Sequence, residues 1–97
     1  MHARVTTVSV YPNQVAETTR IYNETILPAV KAANGNQGVF LLIDPVSGKG
    51  ISLTLWSTEA NGLAYDASGA YQALVGMVSP FFAAPPSLAT YEVAAQG

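Results

Sequence analysis

The chain has 97 residues, of which 49% are hydrophobic and 10% charged, with a formal net charge of −2 at pH 7. That length supports one domain over residues 1–97, and a domain so small buries only about 60–65% of its unfolded surface, so the surplus of apolar residues points to a partner surface. The four basic residues, Arg4, Arg20, Lys31 and Lys49, form no stripe that could follow a phosphate backbone, and the absence of cysteine removes disulfides, thiolate metal sites and thiol nucleophiles.

Residues 3–10 open the chain with the β-branched Val5, Thr6, Thr7, Val8 and Val10, a strand that Pro12 and Asn13 end at a helix N-cap. Val15, Thr19, Tyr22, Ile26, Val30 and Ala33 then recur at helical spacing, with Glu17, Arg20, Glu24 and Lys31 opposite. The result is an amphipathic helix, bent near Pro28 and stopped at Asn34 and Gly35. Residues 39–43 are apolar without alternation, which predicts a strand covered on both faces. This is the longest such run and far too short to cross a bilayer. No basic and apolar leader precedes the first strand, so a soluble, cytoplasmic protein without a membrane partner is expected.

The turn residues at 44–50 return the chain into a second strand at 51–56, where Ile51, Leu53 and Leu55 alternate with Ser52, Thr54 and Trp56. Ser57 or Thr58 caps a short helical turn reaching about Tyr65, and a longer helix is predicted from near Ser68 toward Val78. That helix carries a bulky stripe of Tyr71, Leu74, Val75 and Val78, in line with Phe81 and Phe82. Opposite lie Gly69, Ala73 and Gly76, which suit either a close approach or a loosened exposed helix. Pro80 ends or kinks it, Pro85 and Pro86 break it, and residues 88–95 form the last strand.

A β-α-β-β-α-β order is the ferredoxin-like plan of the α+β class: an antiparallel four-stranded sheet with both helices on one face. The bare face is oily, which predicts a homodimer built by packing that face on its own copy into a dimeric α/β barrel.

Nearly the whole chain resembles the antibiotic biosynthesis monooxygenase-like domains of the dimeric α/β barrel superfamily. The resemblance rests on the helix opening at Pro12, on Thr25, Ile26, Leu27, Pro28, Ala29, Val30, on Leu41, Leu42, Ile43, Asp44, Pro45, on Leu53, Thr54, Leu55, Trp56, Ser57, and on the closing run from Pro85 to Val93. The haem-degrading relatives combine an Asn, a Trp and a His, of which only the Trp is matched, by Trp56. The single histidine, His2, sits at the N-terminus, which argues against haem degradation. Relatives that oxygenate aromatic polyketides without a cofactor imply a pocket between sheet and helices, with Trp56 as its catalytic candidate.

Trp56, Tyr22, Tyr65, Tyr71, Thr54 and Asn23 are the candidate binding residues, with Asn61 a further companion. Trp56 can donate its indole N–H to a substrate oxygen or serve as a packing anchor, and the tyrosines can hold a phenol or simply fill the core. Asp44, Glu59, Asp66 and Glu92 have no metal spacing, and Gly48, Lys49, Gly50 is no phosphate loop. The expectation is a homodimer that binds a small hydrophobic or aromatic molecule and needs no cofactor or metal. It either oxygenates that molecule or acts as a non-catalytic binding or structural module.

Overall fold

A computed structural model describes all residues, Met1–Gly97. Four strands, β1 (His2–Ser9), β2 (Asn36–Ile43), β3 (Lys49–Trp56) and β4 (Ser87–Glu92), form one antiparallel sheet in the order β2-β3-β1-β4. The first helical layer runs from a 3-10 turn (Pro12–Gln14) through α1 (Val15–Ile21), a π turn (Tyr22–Ile26) and α2 (Leu27–Lys31). The second is α3 (Glu59–Ala67), α4 (Ala70–Val75) and a 3-10 turn (Ser79–Phe81). Both layers lie on the same side of the sheet, which is the ferredoxin-like arrangement expected. No helix is long and apolar enough to cross a membrane.

The first helix keeps its register by widening at one place. Pro28 has no N–H and its ring would strike the carbonyl of Glu24 in a regular α-helix. Just ahead of it, Leu27 N–H bonds back to Tyr22 O across a π turn, which relieves the clash without ending the helix. Asn13 does not cap the helix: it lies inside the 3-10 turn, and Gln14 precedes α1 without a side-chain bond. Val15, Thr18, Tyr22, Ile26 and Val30 face the sheet, so Thr18, held by Oγ1 to Gln14 O at 2.8 Å, occupies the covered side in place of the expected Thr19. On the outer side Arg20 bridges Glu17 and Glu24.

The division of the second helical layer differs from expectation. The longer piece comes first, because Thr58 accepts a hydrogen bond from Asn61 N at 3.2 Å and starts a full α3. Gly69 then takes a left-handed backbone, φ 78°, and stops the helix, leaving only six residues in α4. Gly69, Ala73 and Gly76 therefore make no continuous stripe; they are exposed, and space around Gly69 is open. Gly48 in the β2–β3 turn is the glycine that a close approach requires. Its φ is 76°, and a Cβ there would lie 1.9 Å from Val10 O, while Val10 N–H bonds Gly48 O at 2.8 Å.

Strand pairing assigns each side chain to a face. Arg4 pairs with Thr54 and Thr6 with Ser52, so these residues and Trp56 point toward the helices, joined by Val39 and Leu41. Val5, Ile51, Leu53, Leu55, Phe40, Leu42 and Tyr91 share the opposite, open face. The expectation that residues 39–43 are covered on both sides fails within one chain, where Phe40 is 47% and Leu42 54% exposed.

Candidate functional site

The core under the helices is Tyr22, Ile26 and Val30 from the first layer, Trp56 from β3 and Val78 from beyond α4. Between this core and the sheet lies a cavity of about 40 Å³. Val8, Val10, Ile26, Val75, Val78 and Phe82 make most of it apolar. The exception is a chain of hydroxyls. Ser52 Oγ on β3 meets Tyr22 OH from the π turn at 2.9 Å and Tyr71 OH from α4 at 3.3 Å. Burial pushes the Tyr22 phenol up to about 12, against the opposing pull of its Ser52 hydrogen bond. At neutral pH it is protonated and acts as a hydrogen-bond partner, not as a base.

A second, smaller lobe adjoins the first and shares Thr6 and Tyr71 with it. Arg4, Thr54, Trp56, Tyr65 and Asp66 complete its walls. Trp56 is 1% exposed and its indole N–H donates to Thr54 Oγ1 at 2.9 Å, two residues back on the same face of β3. The Tyr65 ring lies against it with centroids 5.2 Å apart, and Tyr71 follows at 6.3 Å from Tyr65. Burial also raises the Tyr65 phenol above its ordinary value. Gly62 lets α3 come this close, since a Cβ there would stand 3.3 Å from Trp56 Cδ1 and 3.1 Å from Arg4 Cδ.

The candidate residues therefore distribute unevenly. Tyr22 and Tyr71 line the apolar lobe, Thr54, Trp56, Tyr65 and Tyr71 the polar one, and Asn23 stands exposed on the helix, lining neither. Asn61 is occupied at the start of α3, where Thr58 Oγ1 donates to its Oδ1 at 2.8 Å. Arg4 was not singled out from the sequence, though two-residue periodicity places it on the same face as Thr6 and Val8. Ser52 shows the same parity with Trp56, but only the fold brings Tyr22 and Tyr71 to it.

Solved structures match this architecture over almost its entire length. A candidate antibiotic biosynthesis monooxygenase from Bordetella bronchiseptica superposes with a TM-score of 0.80 at 20% identity, covering 94% of either chain. The chain has the antibiotic biosynthesis monooxygenase-like fold. A second candidate antibiotic biosynthesis monooxygenase, from Nitrosomonas europaea, gives 0.78 at 16% identity over 95% of this chain and 97% of that one. The haem degrader MhuD of Mycobacterium tuberculosis, whose structure carries two haems in its active site, gives 0.80 at 19% identity over 100% and 99%. No family model matches the sequence, and no curated protein does.

Haem does not fit the residues present. Neither lobe contains an imidazole: His2 lies at the strand end beside Thr58, Glu59 and Glu92, its buried Nε2 without a hydrogen-bond partner.

Proposed function

We propose that this chain acts as a homodimer joined through the open sheet face, and that each copy holds a small hydrophobic or aromatic molecule in the cavity beneath α4. An electron-rich ligand bound there is oxygenated without a cofactor. The observation that carries this reading is the Tyr22–Ser52–Tyr71 hydroxyl chain set in a mostly apolar cavity. A phenolic or enolic oxygen seated there accepts a hydrogen bond from a tyrosine that stays protonated, and its anion is stabilised with little competing water. The ligand supplies the electrons to dioxygen: a hydroquinone takes one oxygen atom into a new C–O bond and leaves as a hydroxyquinone, the other oxygen leaves as water with two of the ligand's hydrogens, and the protein contributes orientation and water exclusion. Trp56 forms the far wall with its ring, because Thr54 engages its N–H.

The dimer is supported by the exposed Phe40, Leu42 and Tyr91 on one face of the sheet. The ligand enters by displacement of Tyr71, which divides the two lobes from a six-residue helix.

Binding without turnover is the second reading, and one observation favours it. The indole N–H is satisfied internally, and burial holds the Tyr22 phenol far above neutrality, which leaves no base at the hydroxyl chain. Oxygen uptake over a panel of hydroquinones separates the two. The oxygenase reading expects uptake that falls about tenfold or more in Tyr22→Phe, consistent with the loss of one charge-assisted hydrogen bond. Ligand binding with no uptake anywhere in the panel supports the binding module, and the absence of both ends both readings.

A further inference from the structure

We propose that Arg4 anchors an anion-binding subsite in the smaller lobe, and that the preferred ligand is a single-ring aromatic acid whose hydroxyl lies para to its carboxylate. This rests on the cavity being an aromatic site. Arg4 is a cation with only 11% of its side chain exposed, and its ion-pair partner is Asp66, Nη2 to Oδ2 at 3.3 Å. A guanidinium has five N–H donors, and a single long contact leaves most of them for a ligand. Asp66 is itself 40% exposed and its other oxygen accepts from Gln72 Nε2 at 2.7 Å, so water screens its repulsion of an incoming anion while Arg4 stays sheltered.

The guanidinium is also pre-positioned. Its stem runs under α3 at Gly62, where a Cβ would meet Arg4 Cδ at 3.1 Å, which restricts the side chain before any ligand arrives.

Strand geometry sets the ligand's length. Thr6 pairs with Ser52 and Arg4 with Thr54, so the hydroxyl chain and the guanidinium occupy successive rows on the helix-facing side. Two residues of strand rise separate those rows by about 7 Å. With Tyr71 swung aside to join the two lobes, a single benzene ring bearing oxygen groups at para positions spans that distance, with its edge against Tyr65. The phenol then meets Tyr22 and Ser52, and the carboxylate takes the guanidinium fork.

Calorimetric titration of the full chain with phenol and with 4-hydroxybenzoate tests this. Wild type is expected to bind the acid about tenfold more tightly than phenol, the range of one charge-assisted hydrogen bond. Arg4→Gln should abolish that preference while phenol affinity stays within about twofold, and Arg4→Lys should retain part of it, since an ammonium keeps the charge but not the fork. Wild-type phenol binding without a preference for the acid overturns this inference and leaves the aromatic site standing. No binding of either compound overturns both. Should Arg4→Gln lose phenol binding as well, through misfolding, Arg4→Lys decides: an unchanged preference overturns the role of Arg4, and a reduced one upholds it.

Discussion

The two faces of the sheet invert the usual distribution of polarity. Ser52, Thr54 and Trp56 on β3 are buried against the helices, whereas their neighbours Ile51, Leu53 and Leu55 face outward beside the exposed Phe40, Leu42 and Tyr91. Buried hydroxyls persist only when they are bonded, and each here has a partner: Ser52 with two tyrosines, Thr54 with the indole. Exposed apolar rows need no bond but favour a cover. The covered face thus suits the proposed ligand site, and the open face the proposed dimer.

Perturbing each face in turn separates these roles. The largest effect is expected at Trp56→Ala, which empties the most buried aromatic of the covered face and should lower stability by about 3–5 kcal/mol in urea denaturation. If the loss falls below about 1 kcal/mol, Trp56 is not the anchor of the second helical layer. On the open face, where the proposed dimer would join, Leu53→Asp should shift sedimentation from dimer to monomer, weakening association by about 100-fold, or roughly 2.7 kcal/mol. The helix-facing cavity should keep its ligand affinity; a variant that remains dimeric places the interface elsewhere.

A smaller effect is expected from Tyr22→Phe, which leaves Ser52 bonded to Tyr71 alone and should cost about 1 kcal/mol. Its pH signature is more specific. The Tyr22 phenol ordinarily titrates near 10 and is raised to about 12 by burial, so the native state holds this proton more tightly than the unfolded chain. The associated stability is present below pH 10 and disappears as pH rises toward about 12. The difference between wild type and Tyr22→Phe, measured across that window, isolates it from other groups. A constant difference would mean that the phenol is not shielded. Asn23→Ala, on the exposed side of the first helix, should alter stability and ligand affinity by no more than about 0.5 kcal/mol.

Much of the fold was legible because it depends on local periodicity. Alternation in residues 51–56 specified the two faces of β3, and the spacing of Tyr22, Ile26 and Val30 specified the buried side of the first helix. Errors fell where competing local signals are nearly balanced. Asn13 is a good N-cap by type, yet Pro12 starts a 3-10 turn that absorbs it. Gly69 reads equally as a helix interior or a helix stop until its backbone is seen to be left-handed.

The candidate site was less legible because its parts lie far apart in the chain. Trp56, Tyr22, Tyr65 and Tyr71 stood out as aromatic residues, whereas strand parity puts Arg4 on the helix-facing side without showing that its long side chain reaches the smaller lobe. Asn23 neighbours Tyr22 in sequence, and one residue of helix turns it by about 100°, enough to point it into solvent.

The order of elements, the two faces of β3 and the excess of apolar surface follow from the sequence, because they depend on the spacing of side chains along a regular backbone. Tertiary structure alone decided that Ser52 joins two tyrosines from different helical layers, and that Arg4 comes to lie beside Asp66 and beneath Gly62. Such meetings depend on strand register and on where one helix is broken by Gly69, which are set by packing across the whole sheet and not by any run of neighbouring residues.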